Sequence, residues 1–101
     1  MRVVLSATAR ADLQDIAAYI ARDNKARART FVAELVDKAK ALGSRPRAFA
    51  LVPRYQHLGI RRRPYGNYLI YYRVEDSRVL IVHIVHGARD QEALLAQMAD
   101  P

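Results

Sequence analysis

Tyr68-Leu69-Ile70-Tyr71-Tyr72-Arg73-Val74, then Glu75-Asp76-Ser77-Arg78, then Val79-Leu80-Ile81-Val82-His83-Ile84-Val85, is the stretch on which the fold turns. β-Branched and aromatic residues fill both runs and four polar residues part them, the pattern of two strands joined by a turn. In the first run Tyr68, Ile70, Tyr72 and Val74 alternate with Leu69, Tyr71 and Arg73, so the two sets face opposite sides of a sheet. The second run is almost unbroken Val, Leu and Ile, as expected of a strand central in the sheet and covered on both faces. Strand character begins at Ile60, and Gly87 closes the segment.

Upstream, Val3 and Leu5 suggest a short opening strand, and Ser6 or Thr8 can cap a following helix by accepting a backbone N–H bond. Leu13, Ile16, Ala17 and Ile20 recur at helical spacing and predict one packed face, with Asp12, Asp15 and Arg22 turned elsewhere. The pattern breaks at Asp23-Asn24 and restarts as Phe31, Val32, Leu35, Val36, Ala39 and Leu42, ending at Gly43, a residue suited to a left-handed cap. Residues 44–58 carry Pro46 and Pro53 and no sustained period, which predicts a long loop, and long loops in small domains tend to be functional. Downstream, Asp90 can cap a last helix with Ala93, Leu94 and Met98 as its apolar residues. No repeat or linker interrupts the chain, so residues 1–101 predict a single α+β domain. Its parts are an N-terminal strand, an antiparallel helical hairpin, a mainly antiparallel sheet and a short C-terminal helix.

Cysteine is absent, which excludes a disulfide framework or a thiolate metal site and suits a reducing, cytoplasmic compartment. The first residues reach Ser6, Arg10 and Asp12 too soon for a signal peptide, and no apolar run is long enough to span a membrane. Seventeen Lys and Arg oppose ten Asp and Glu, and fourteen of the cations are arginine, whose planar fork grips carboxylates and phosphates. Between Asp37 and Glu75 no acidic residue occurs, whereas Lys38, Lys40, Arg45, Arg47, Arg54, Arg61, Arg62, Arg63 and Arg73 do. The expected partner is therefore acidic, because the chain leaves those cations for an external anion to pair.

Catalytic constellations are scarce. His83 and His86 are three apart on a strand and face opposite sides, and His57 stands alone in the loop. No nucleophile–His–Asp order, paired helical histidines or glycine-rich phosphate loop is present, so no catalytic residue, metal or cofactor is expected. Arg61-Arg62-Arg63 offers a cationic edge, although alternate members must point to opposite faces. Arg89 admits two roles: reaching back to Asp90 or Glu92 to pin the turn, or projecting toward a partner.

Leu5-Ser6, Ala11-Asp12-Leu13, Ile16, Tyr19-Ile20, Phe31, Gly59-Ile60-Arg61-Arg62, Tyr68 to Arg73 and His86-Gly87-Ala88-Arg89-Asp90 occur in an order that resembles the ParE branch of the ParE/RelE toxin superfamily. The resemblance spans essentially the full chain. It implies a β-α-α-β-β-β-α topology, an acidic ParD-like antitoxin that wraps the toxin, and inhibition of DNA gyrase, with operator DNA met only through the antitoxin complex. On this reading Arg61, Arg62, Arg63 and Arg89 meet the target, and Tyr19, Arg54, Arg61 and Arg62 meet the antitoxin. RelE-like relatives instead cut ribosome-bound messenger RNA, with an arginine after the third-strand tyrosine and a tyrosine in the closing helix. Leu69 and Leu95 stand at those positions here. Neither can hold a phosphate or move a proton, so the endoribonuclease is the alternative reading.

Overall fold

A computed structural model describes residues 1–99 of the chain. β1 (Arg2–Leu5) leads into α1 (Ala7–Ala21) and α2 (Lys25–Ala41), after which come β2 (Ile60–Tyr65), β3 (Tyr68–Val74), β4 (Arg78–His86) and α3 (Gln91–Ala99). The sheet order is β1-β4-β3-β2, antiparallel apart from the parallel β1–β4 pair at one edge. This is the α+β arrangement that the alternation in residues 68–85 requires.

Local signals account for most of the element ends. The Ser6 hydroxyl accepts from the Ala9 amide at 3.0 Å and starts α1. Asn24 does the same for α2 through the Arg27 amide at 2.9 Å, so α2 begins well before Phe31, where the apolar period resumes. Asp90 caps α3 by accepting from Ala93 at 3.1 Å. The β2–β3 hairpin closes through Gly66 at φ 56°, with Tyr65 opposite Tyr68, a two-residue turn whose first position favours glycine.

Gly43 departs from expectation. It does not take the left-handed conformation assigned to it; a Cβ there would lie 2.3 Å from the Met1 carbonyl oxygen. Close approach of β1 to the end of α2, fastened by the Met1 amino group donating to the Gly43 carbonyl at 2.8 Å, is what requires glycine.

Both sheet faces are covered. Tyr68, Ile70, Tyr72, Val79, Ile81 and Ile84 pack beneath the hairpin with Ile16, Leu35 and Ala39, while Tyr71, Val85, Ile60 and Val52 pack beneath α3 with Leu94 and Leu95. Each such large side chain contributes about 1.5–3 kcal/mol by leaving water. The apolar side of α3 thus includes Leu95, and Ala93 is exposed, contrary to the sequence reading. A β-bulge makes the second run serve two cores. Tyr71 pairs with His83 and Tyr72 with Ile81, so Val82 is the extra residue. The extra residue turns Ile84 to the hairpin face with Ile81 and His83 to the α3 face.

Candidate functional site

β1 ends at Leu5 but β4 runs on to His86, so the later half of β4 has a bare edge that α1 must finish. The Ser6 hydroxyl donates to the Val82 carbonyl at 3.0 Å, and one Asp12 carboxylate oxygen accepts from the Ile84 amide at 2.8 Å and meets the His83 ring at Nδ1. Asp12 and His83 side chains are only 13% and 16% exposed, so this pair is largely shielded from solvent at the rim of the fold. The sequence reading turned Asp12 away from the core and took His83 as a packed strand residue without naming its partner. Asp12 instead seals a strand edge and anchors His83.

Past that seal, α1 and the end of the sheet enclose a groove of about 470 Å³ lined by Asp15, Ile16, Tyr19, Tyr68, His86 and Arg89, among others. Tyr19 is 63% exposed, and the Arg22 guanidinium carbon lies 5.9 Å from its ring centre. The His86 ring meets Tyr68 edge-on at 5.1 Å, and its Nδ1 accepts from the Ala88 amide at 3.0 Å, which leaves Nε2 to carry the proton. His86 therefore lies on the face opposite His83, as their spacing requires. Arg89 is exposed and has no carboxylate within ion-pair distance among the described residues. Asp90 is occupied in capping α3, and Glu92 receives the Tyr55 hydroxyl at 3.3 Å, so neither holds Arg89 to the turn. The turn-pinning role that the sequence admits for Arg89 is therefore not seen among the described residues.

A second groove, of about 680 Å³, runs along the outer crease of the hairpin. Ala17, Ala18, Ala21, Ala28, Val32 and Ala33 line it, together with Lys25 and Arg29. The sequence reading assigned Ala17 to the packed stripe and overlooked the run of alanines on the far side of both helices, which was the available signal. Nearby, Glu34 accepts from Arg27 at 2.6 Å and from the Tyr65 hydroxyl at 2.7 Å, tying α2 to the end of β2. Those bonds, Arg27 first, hold the Glu34 carboxyl below its ordinary pKa.

The cationic middle is not uniformly free. Arg61 donates to the Phe49 carbonyl at 2.7 Å, the Arg63 guanidinium carbon sits 4.7 Å from the Phe49 ring centre, and Arg73 lies 3.8 Å from Glu75. The expectation that only an external anion could pair these three is corrected. A loop carbonyl, an aromatic face and a carboxylate just past the acid-free run satisfy them in part. Arg61 and Arg63 share the hairpin face of β2, and Arg62, opposite Tyr71, faces the α3 side. Tyr19, Arg54, Arg61 and Arg62 are consequently distributed over both sides of the molecule and do not form one cluster.

Arg54 stands apart from the other arginines. Pro53 and Arg54 are the middle residues of a turn closed by the Tyr55 amide donating to the Val52 carbonyl at 3.1 Å, and Arg54 has φ 73°. That is the third position of a type II turn, which favours glycine, and Arg54 is the one non-glycine residue with positive φ among those described. A side chain there costs about 1–2 kcal/mol.

Leu69 and Leu95 complete the inventory. Leu95 is 2% exposed in the core beneath α3, and Leu69 is half-buried against the same cluster. Both are consumed by packing and neither opens to a reaction centre.

A hairpin laid across a four-stranded sheet, with a closing helix on its far face, is shared with solved toxin–antitoxin structures. One is a chain of the chromosomal ParDE system from P. aeruginosa, with TM-score 0.68, 22% identity, and coverage of 85% of this chain and 95% of that one. Another is from the RelBE2 toxin–antitoxin complex of Mycobacterium tuberculosis, with TM-score 0.62, 26% identity, and coverage of 84% and 95%. No curated protein matches significantly. The family described as the ParE toxin of the type II toxin–antitoxin system parDE matches residues 3–91, and the chain belongs to that family.

Proposed function

We propose that this toxin acts in the cytoplasm by binding DNA gyrase, without catalysing a reaction itself, and that an acidic ParD-like antitoxin neutralises it. Leu69 and Leu95, buried or half-buried at the positions where RelE-like nucleases carry an arginine and a tyrosine, are the observation that supports a non-catalytic mechanism. Packed leucines offer no group to stabilise a pentacoordinate phosphate or to transfer a proton.

The antitoxin is assigned the alanine-lined crease of the hairpin, with further contacts at Tyr19, Arg54, Arg61 and Arg62. Lys25 and Arg29 beside that crease would meet the acidic flank of an amphipathic segment laid along it. The target is assigned Arg61, Arg62, Arg63 and Arg89. Operator DNA is reached only as part of the antitoxin complex. Nucleic acid as a direct ligand is disfavoured because, of the aromatics interleaved with arginine in sequence, Tyr68, Tyr71 and Tyr72 are buried and Tyr65, half-buried, is engaged by Glu34 and Phe31.

Ribosomes translating a defined messenger, incubated with the purified toxin, test the mechanism. The expected result is an intact transcript. Site-specific cuts that disappear in Arg89→Ala would replace this reading with the endoribonuclease one.

A further inference from the structure

We propose that the Pro53–Arg54 turn is a strained presentation device, in which an arginine occupies a glycine conformation so that its guanidinium can receive a carboxylate of the antitoxin. The inference rests on the antitoxin reading above and deepens it at one residue.

Arg54 contributes little to the fold that holds it. It is exposed, makes no hydrogen bond or ion pair among the described residues, and has φ 73° in a turn that glycine or asparagine would adopt without strain. The turn itself is secured without it. Tyr55 donates to the Val52 carbonyl at 3.1 Å, and Val52 donates to the Ile60 carbonyl at 2.9 Å and is itself 3% exposed in the α3-side core. The turn is thus clamped to the edge strand, and its tip residue is held out at a fixed place. The nearest candidate anion, Glu92, bonds the Tyr55 hydroxyl at 3.3 Å and is not within ion-pair distance of Arg54.

Strain that the surrounding structure enforces, and that serves nothing inside the molecule, points to a use outside it. The ligand chemistry follows from the side chain and its setting. Arginine takes planar oxyanions bidentately. Residues 38–74 contain no carboxylate of their own to compete, and the ring beside Arg54, that of Tyr55, is already stacked on His57 and bonded to Glu92, so a protein carboxylate is the expected guest.

Arg54→Gly separates the two halves of the proposal, because it removes strain and cation together. Thermal unfolding of the free toxin should rise by about 2–6 °C, the relief of strain being partly offset by the greater freedom of glycine in the unfolded chain. Affinity for the co-encoded antitoxin should fall at least about tenfold, and the salt dependence of binding should become shallower. Arg54→Lys, which keeps the charge but lacks the planar fork, should recover only part of the affinity, without the gain in stability. A stabilised Arg54→Gly toxin that binds the antitoxin as tightly as the parent would overturn the inference. So would an Arg54→Gly toxin no more stable than the parent, since the turn would then not be strained. If the unmodified toxin did not bind the antitoxin at all, the reading on which the inference rests would fall with it.

Discussion

Asp12→Ala is expected to destabilise the domain by about 2–4 kcal/mol, a fall in Tm of about 10 °C or more for a chain of this size. One carboxylate oxygen serves the Ile84 amide at 2.8 Å and the His83 ring, on a strand edge that β1 leaves uncovered. Alanine would strand a buried backbone N–H and a largely buried imidazole at once, and the methyl group cannot admit enough water to replace the lost acceptor. Asp12→Asn retains one carbonyl oxygen and should cost roughly half as much. Urea unfolding of the three proteins checks both values. Equal stability of parent and Asp12→Ala would mean that the β4 edge is satisfied by solvent, and that Asp12 is free to act elsewhere.

Filling the hairpin crease should have the opposite signature: a large loss of binding with little change in folding. Ala18 and Ala33 line the crease and are exposed, so Ala18→Trp with Ala33→Trp adds bulk where the free toxin has only solvent. Tryptophan is tolerated in a helix at less than about 1 kcal/mol per residue. If the antitoxin lays an apolar segment there, two indoles occupy its place, and affinity should drop at least about 100-fold, equivalent to about 2.7 kcal/mol. Titration calorimetry against the antitoxin, with a parallel thermal melt, separates the two effects. An affinity within threefold of the parent would move the docking surface away from the crease.

These two sites differ sharply in how far the sequence reveals them. The alternation of Tyr68, Ile70 and Tyr72 against Leu69 and Tyr71 is a local, period-two signal, and it correctly divides the two cores. The caps at Ser6 and Asp90 are equally local, each a short polar side chain just before its helix. Asp12 has no such signal, because its partners lie more than 70 residues away and its function exists only once β1 proves shorter than β4. The bulge at Val82 is likewise silent: an unbroken Val, Leu and Ile run looks the same with or without it.

Gly43 and Arg54 show the complementary failure. The sequence reading gave a left-handed position to Gly43, by general preference, yet glycine is required there because a Cβ would collide with the Met1 carbonyl oxygen, and an arginine after a proline takes positive φ along with Gly59 and Gly66. The Pro53 signal for a turn was present, but nothing in residue type announces an arginine at the third position. The cationic middle was legible as charge and not as geometry. Which cations remain available depends on Phe49 folding back to occupy Arg61 and Arg63, a contact set by the path of a loop without periodicity.

The central claim is that the toxin works by holding another protein, and a supercoiling assay with purified DNA gyrase tests it most directly. Relaxed plasmid, gyrase and ATP are incubated with increasing toxin, with and without prior addition of the antitoxin. The account predicts dose-dependent loss of supercoiling with accumulation of cleaved plasmid, abolished when the antitoxin is added first. Full supercoiling at a large molar excess of folded toxin would contradict it.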